Sequence, residues 1–267
     1  MMAIVSGPGT PPTQSKAEVL SCNPVTAGTY LLRVNAPAVA AAARPGQFTM
    51  VKCGGDAFLR RPLSIHRVSE TGAEISFLFA AIGKGTDWLS ASKPGDTLDI
   101  IGPLGNGFDL HVSSREILLV AGGLGLAPLV FLAERARRNG IRVNLAYGTA
   151  SDQRYDKKLL PEGIRLVEFT DDGTCGRKGF VTECVPGFIG SVDQVFVCGP
   201  LPMYFALSKQ QNLKGKDIQI SLETRMACGL GVCYACSIKT VDGQKQVCHD
   251  GPVFRLDEIV WNEMAGI

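Results

Sequence analysis

The sequence predicts a β barrel followed by an α/β unit with a parallel sheet and a small cysteine-rich C-terminal lobe. Three observations carry that prediction: short β-rich runs over residues 16–111, a strand–glycine loop–helix signature opening residues 112–215, and four cysteines gathered within residues 216–267. The chain has 267 residues, 45% of them hydrophobic and 19% charged, enough for two domains with cores of their own and one appendage. A formal net charge of +2, without a long basic stretch, gives no footing for nucleic acid or an anionic membrane.

Residues 1–15, "MMAIVSGPGTPPTQS", read as a flexible tail. They lack a basic segment followed by a long apolar core, so the expectation is a chain that stays in the cytoplasm. Nine cysteines, an odd number, fit reduced thiols, and the five outside the C-terminal group are expected to be core residues.

The barrel is read from "TYLLRVNA", "GQFTMVKC", "RPLSIHRV", "AEISFLFAA" and "DTLDIIGPLG", short apolar runs separated by Gly, Pro and polar turns. Within it, Arg61 and Ser64 flank a proline-stiffened strand in "LRRPLSI", and Gly85 and Thr86 open a short helix in "IGKGTDWLS". An arginine fork and a helix N-terminus each neutralise a phosphate. The plain alternative is a solvated arginine on an edge strand.

The next unit opens with "ILLVAGGLGLAPLVFLA", seventeen residues without a charge. Glycines and Pro128 interrupt it, and Leu129, Val130, Leu132, Ala133 and Ala136 are set against Arg135, Arg137 and Arg138 on a helical period. The pattern is strand, glycine loop and amphipathic helix rather than a membrane span. Pro128 suits a first helical turn and Gly140 the residue beyond the end. Such a loop offers backbone N–H groups to a pyrophosphate. Gly123-x-Gly125 lacks the third glycine of the dinucleotide fingerprint, and no acid stands about twenty residues on, so an ordinary βα turn is the alternative. "RVNLAYGTA", "IRLVEFTDDG" and "QVFVCGP" continue the rhythm of a parallel sheet with its ligand at the strand C-termini. Gly123, Gly125 and Gly199 would allow close approach of a nucleotide; Asp171 and Asp172 would accept its hydroxyls; Cys198 stands beside it or is a buried thiol.

The cysteines follow Cys228-x4-Cys233-x2-Cys236, then eleven residues to Cys248. Structural zinc sites pair ligands in two short arms, whereas x4 then x2 with one distant cysteine is the plant-type [2Fe–2S] spacing. Gly229 and Gly231 suit a loop whose amides approach the sulfurs. Zinc or buried structural cysteines remain the alternatives. His66, His111 and His249 are scattered and receive no role.

Taken in order, R-x-x-S on a barrel strand, G-G-x-G-x-A-P, a late C-G-P and "SLETRMACGLGVCYAC" with "CHDGPVF" resemble the ferredoxin-reductase flavoprotein superfamily. Within it they are similar to the electron-transfer subunits of NAD-linked (class 1B) dihydroorotate dehydrogenases. The resemblance covers nearly the whole chain. It implies FAD held by Arg61, Pro62, Leu63 and Ser64, by Leu78, Phe79 and Ala80, and by Gly85 and Thr86. It also implies a [2Fe–2S] cluster on Cys228, Cys233, Cys236 and Cys248. Leu63 departs from the pattern, since reductases of this type often stack a tyrosine there on the flavin.

Nicotinamide exchanges hydride, an iron–sulfur cluster single electrons and a flavin either, so a chain holding all three converts between them. No site for proton abstraction from a pyrimidine is legible. The resemblance assigns that chemistry to a separate FMN-containing subunit, two of each forming the assembly, with electrons reaching NAD through the cluster and FAD. A diaphorase subunit of a hydrogenase or of an NAD(P)H:ferredoxin oxidoreductase is the nearest alternative, and a zinc-stabilised interaction module the distant one. "YGTASDQRY" offers only Arg154 to a 2′-phosphate, which favours NAD over NADP. Phe254, Leu256, Ile259, Val260 and Trp261 near the C-terminus are expected either to line a partner interface or to pack back on the lobe.

Overall fold

The computed structural model describes residues 11–54, 58–150 and 155–264, so Arg154 lies outside the described residues. The first sheet contains β1 (Thr13–Thr26), β2 (Thr29–Asn35), β3 (Phe48–Lys52), β4 (Arg61–Ser64), β5 (Arg67–Val68), β6 (Glu74–Ala80) and β7 (Thr97–Leu104). Their order is β4-β3-β7-β1-β2-β6-β5, with every pairing antiparallel. Residues 61–68 close the barrel. Their first half pairs with β3, Leu63 opposite Thr49, and their second half with β6, Arg67 opposite Ser76. Between the halves, Ile65 N–H donates to the Gln47 carbonyl at 3.0 Å and His66 N–H to the Ser76 carbonyl at 2.8 Å. Alternation sends Leu32, Val34, Ile75, Phe77, Leu98 and Ile100 into the barrel core. β1 begins at Thr13, opposite Gly102, so residues 13–15 belong to the sheet rather than to a tail. Two short helices, α1 (Pro37–Ala42) and α2 (Lys84–Ser90), join the strands.

The second sheet holds β8 (Glu116–Gly122), β9 (Arg142–Thr149), β10 (Arg165–Thr170), β11 (Arg177–Lys178), β12 (Gln194–Cys198) and β13 (Ile218–Ser221). β8 and β12 are buried almost from end to end, as strands covered on both faces must be. Between β8 and β9 runs α3 (Leu126–Arg138), which buries Leu129, Val130, Leu132, Ala133 and Ala136. Arg135, Arg137 and Arg138 occupy its last turn, where cations complement the helix dipole, and Gly140 follows in the left-handed region at φ +74°. The short α4 (Val185–Phe188) precedes β12, and α5 (Leu201–Ser208) follows it.

A hairpin, β14 (Ser237–Thr240) with β15 (Gly243–Gln246), precedes the last strand, β16 (Val253–Arg255). The second sheet runs β11-β10-β9-β8-β12-β13-β16, parallel except that β16 is antiparallel to β13. Strand order reverses between β8 and β12, which opens a crevice at their C-terminal ends. The expected lobe boundary at residue 216 is therefore displaced. β13 and β16 are neighbouring strands of the nucleotide-unit sheet, and the cysteine segment is an excursion between them. Cys236, Ile238, Val247 and Cys248 share one core with Phe48 and Met50 of the barrel and Ile218, Ile220 and Leu222 of the sheet.

The C-terminal apolar run resolves toward the packed alternative. Phe254, Leu256 and Ile259 are buried and Val260 is half-buried. Trp261 stacks on Tyr204 with ring centres 6.1 Å apart, meets the Phe205 ring edge-on at 5.5 Å, and donates its indole N–H to the Leu256 carbonyl at 3.0 Å. Among the described residues no helix is long and apolar enough to cross a membrane.

Candidate functional site: two adjoining cavities and a cysteine loop

The first cavity, about 240 Å³, lies where the barrel faces α3 and the chain leaving β13. Pro62, Leu63, Ser64, Leu78, Phe79, Ala80 and Thr86 line it on the barrel side, and Leu222, Glu223, Thr224 and Met226 on the other. The Thr86 hydroxyl accepts from the Ile82 and Gly83 N–H groups at 3.0 and 3.2 Å, which ties the start of α2 to the rim. Arg61 and Gly85 stand behind this wall. The arginine donates to the Leu59 carbonyl at 2.7 Å, and its Nε would lie 2.8 Å from a Cβ on Gly85. Among the described residues, Phe48 and Phe79 are the aromatic ones that line it, and neither tyrosine nor tryptophan does. An apolar slot rimmed by the Ser64 and Thr86 hydroxyls fits a flavin ring, with Leu63 supplying aliphatic rather than aromatic contact.

The second cavity, about 810 Å³, opens at the C-terminal ends of β8, β9, β10 and β12. Gly123, Gly125, Gly199 and Asp171 line it. At Gly125 the chain passes so close to β12 that a Cβ would stand 2.0 Å from the Cys198 carbonyl oxygen. Gly199 N–H donates to the Tyr204 hydroxyl at 3.0 Å, which fixes the turn into α5. Two expected residues do not reach this cavity. Cys198 is 1% exposed, lines neither cavity, and turns its thiol toward the Ser221 carbonyl at 3.7 Å. Burial pushes that thiol well above its ordinary pKa, so Cys198 is a core residue. Asp172 accepts from the Thr174 amide and hydroxyl at 2.9 and 2.7 Å, a local turn that occupies the carboxylate. Leu124 and Glu223 border both cavities, which therefore adjoin.

The cysteine loop leaves the wall of the first cavity directly, since Cys228 is two residues beyond Met226. Cys248 N–H donates to the Cys236 sulfur at 3.4 Å. Leu230 N–H donates to the Cys228 sulfur at 3.3 Å and Gly231 N–H to the Cys248 sulfur at 3.2 Å. Burial alone would raise the Cys228 thiol, but the Leu230, Val232 and Cys233 amides overrule it and bring it to about 6. Gly229 and Gly231 sit at φ +72° and +78°, a conformation that other residues adopt only with strain. Among the described residues no three metal-ligating side chains converge on one ion. Four cysteines at the x4, x2 and distant spacing, with backbone amides directed at the sulfurs of Cys228, Cys236 and Cys248, fit a two-iron cluster better than a single tetrahedral zinc. Cys233 is exposed, and Leu230, Val232 and Tyr234 around it are 43%, 74% and 66% exposed.

Sequence reading gave His66 no role, yet its ring is buried where the barrel meets the nucleotide unit. Nδ1–H donates to the Ala127 carbonyl at 2.9 Å, which leaves Nε2 to accept from the Tyr155 hydroxyl at 3.0 Å. Burial holds its pKa at about 3, so the ring is neutral. Arg67 Nε pairs with Glu134 at 3.0 Å beside it. A histidine ending the apolar run "PLSI" was the available signal for burial.

Comparison with known proteins places this geometry. A family profile described as the iron–sulfur cluster binding domain of dihydroorotate dehydrogenase B matches residues 223–260. The dihydroorotate dehydrogenase B (NAD(+)) electron transfer subunit of Desulforamulus reducens is 39% identical over 256 residues, covering 92% of this chain and 97% of the relative. That of Caldanaerobacter subterraneus subsp. tengcongensis is 40% identical over 222 residues, covering 81% and 87%. A solved NADH-dependent reduced ferredoxin-NADP oxidoreductase superposes with a TM-score of 0.84 at 28% identity, covering 93% of this chain and 91% of the other. The ferredoxin reductase of carbazole 1,9a-dioxygenase, at TM-score 0.69, 22% identity and coverage of 80% and 70%, shares the fold.

Proposed function

Since the chain belongs to the family of dihydroorotate dehydrogenase B electron transfer subunits, we propose that it carries electrons from an FMN-containing, dihydroorotate-oxidising partner to NAD⁺. The observation that carries this reading is the join between loop and cavity: the segment that walls the flavin-shaped slot, Leu222 to Met226, runs on into the four-thiol loop within two residues. Bound FAD supplies exchange of both hydride and single electrons, and a [2Fe–2S] cluster exchange of single electrons. The residues of this chain hold and align. Ser64 and Thr86 rim the slot, Leu63 and Leu222 exclude water from it, and the glycine loop before α3 presents amides to a pyrophosphate.

Cys233 with Leu230, Val232 and Tyr234 is the surface we assign to the partner, because exposed apolar side chains around an electron-transfer group need a cover that excludes water. Two copies of each subunit and a cytoplasmic location complete the reading. Asp171 in the larger cavity, with no lysine, arginine or histidine among the described lining residues, supports NAD over NADP.

The test is purification with the FMN partner, measurement of iron, FAD and zinc, and assay of dihydroorotate-driven NAD⁺ reduction. The expected result is flavin and iron–sulfur absorption with coupled turnover. A colourless chain holding stoichiometric zinc, or a complex that reduces ferredoxin and leaves dihydroorotate untouched, would overturn it.

A further inference from the structure

Glu223 is an acid without an assigned task. It lies two residues beyond β13 and, among the described residues, is the one ionisable side chain that borders both cavities. No lysine, arginine or histidine lines either cavity among the described residues, and none of their side chains or N–H groups hydrogen-bonds or ion-pairs with its carboxylate. Its side chain is exposed, so water solvates the carboxylate when the cavities are empty, and a ligand lying across both cavities would enclose it with no protein cation beside it.

We propose that Glu223 is the counter-charge for the oxidised nicotinamide ring and sets the site's preference for NAD⁺ over its reduced form. The inference rests on reading the larger cavity as the NAD site and the smaller as the flavin site. For hydride to pass between the two rings, the nicotinamide has to reach the place where the cavities meet, and Glu223 is there. The oxidised ring carries a positive charge. Accepting a hydride, two electrons and one proton from the reduced flavin, makes it neutral. A carboxylate at that point attracts the cation and gains nothing from the neutral product. The residue thus assists binding of NAD⁺ and release of NADH, the direction that dihydroorotate oxidation requires.

The experiment is calorimetric titration of the oxidised holo-complex at pH 8 with three probes: NAD⁺, tetrahydro-NADH, whose ring is uncharged and gives no hydride, and ADP-ribose, which has no nicotinamide. Glu223→Gln is expected to weaken NAD⁺ about 10-fold, the factor that ~1.4 kcal/mol of lost attraction corresponds to. Tetrahydro-NADH and ADP-ribose should stay within about 2-fold, a change of under ~0.5 kcal/mol. Glu223→Asp, which keeps the charge, should recover part of the NAD⁺ affinity. Equal loss of all three probes, or no loss of NAD⁺, overturns the role of Glu223 while leaving the NAD site standing. A parental complex that binds none of the three overturns the nucleotide reading and this inference with it.

Discussion

The paired cavities and the cysteine loop are built in opposite ways. The cavities sit between two seven-stranded sheets, their walls fixed by strand register and by a buried His66–Tyr155 contact across the units. The loop that carries Cys228, Cys233 and Cys236 has no regular secondary structure. It turns on residues with positive φ, Gly229, Gly231 and Tyr234, and draws its core from Met50 and the neighbouring sheet. Hydride transfer needs two rings aligned closely, which rewards a rigid frame. Single-electron transfer is less exacting in orientation but needs an exposed edge for a partner, and the loop supplies one at Cys233.

That contrast can be broken at its rigid side first. Gly125→Ala would drive a Cβ into the Cys198 carbonyl. The expected loss is about 3 kcal/mol of stability, the upper range for overpacking, together with NAD⁺ binding, read by denaturant unfolding and by titration. A variant of parental stability and affinity would mean that the βα turn relaxes freely.

A smaller effect sharpens the comparison through pH. His66 has a folded-state pKa held at about 3 against an ordinary value of 6.5, so below 6.5 only the unfolded chain takes up that proton. The stability it contributes is complete above 6.5 and is lost as pH falls toward 3, with a slope approaching ~1.4 kcal/mol per pH unit. Denaturant midpoints between pH 8 and 5 should therefore fall more steeply for the parental chain than for His66→Gln. Parallel curves would show that the ring is not shielded.

The smallest effect concerns the 2′-phosphate that distinguishes NADP from NAD. Asp171 borders the larger cavity. Asp171→Asn should raise kcat/KM for NADPH a few-fold, roughly 1 kcal/mol, while NADH changes little. Equal kcat/KM for the two nucleotides in the parental protein would remove NAD specificity altogether.

What was legible in the sequence follows from how local each feature is. The cysteine loop lies within about twenty residues, so spacing and two glycines sufficed to read it. The strand, loop and helix around Pro128 were equally local. Closure of the barrel by residues 61–68 was not, because one stretch pairs with two distant strands. Burial was also hidden. Cys198 reads as a site residue by its place before Gly199, yet its side chain turns into the core. His66 finds partners 61 and 89 residues away, and Glu223 gains meaning only where two cavities adjoin. The C-terminal run offered two readings, and the aromatic contacts of Trp261 with α5 decided between them.

The central claim, that the loop relays single electrons while the cavities handle hydride, is tested most directly by Cys233→Ser in the reconstituted complex with both activities measured on one sample. NADH oxidation by a small acceptor that reaches the flavin should stay within about 2-fold of the parental rate, since that route bypasses the cluster. Dihydroorotate-driven NAD⁺ reduction should fall by more than about 100-fold, beyond the range typical of changes around a metal centre's outer shell. Retention of FAD, FMN and the partner is checked alongside, because ligand loss can loosen the loop. A variant that has lost its cluster, keeps both flavins and the partner, and still couples dihydroorotate to NAD⁺ at the parental rate would contradict the account.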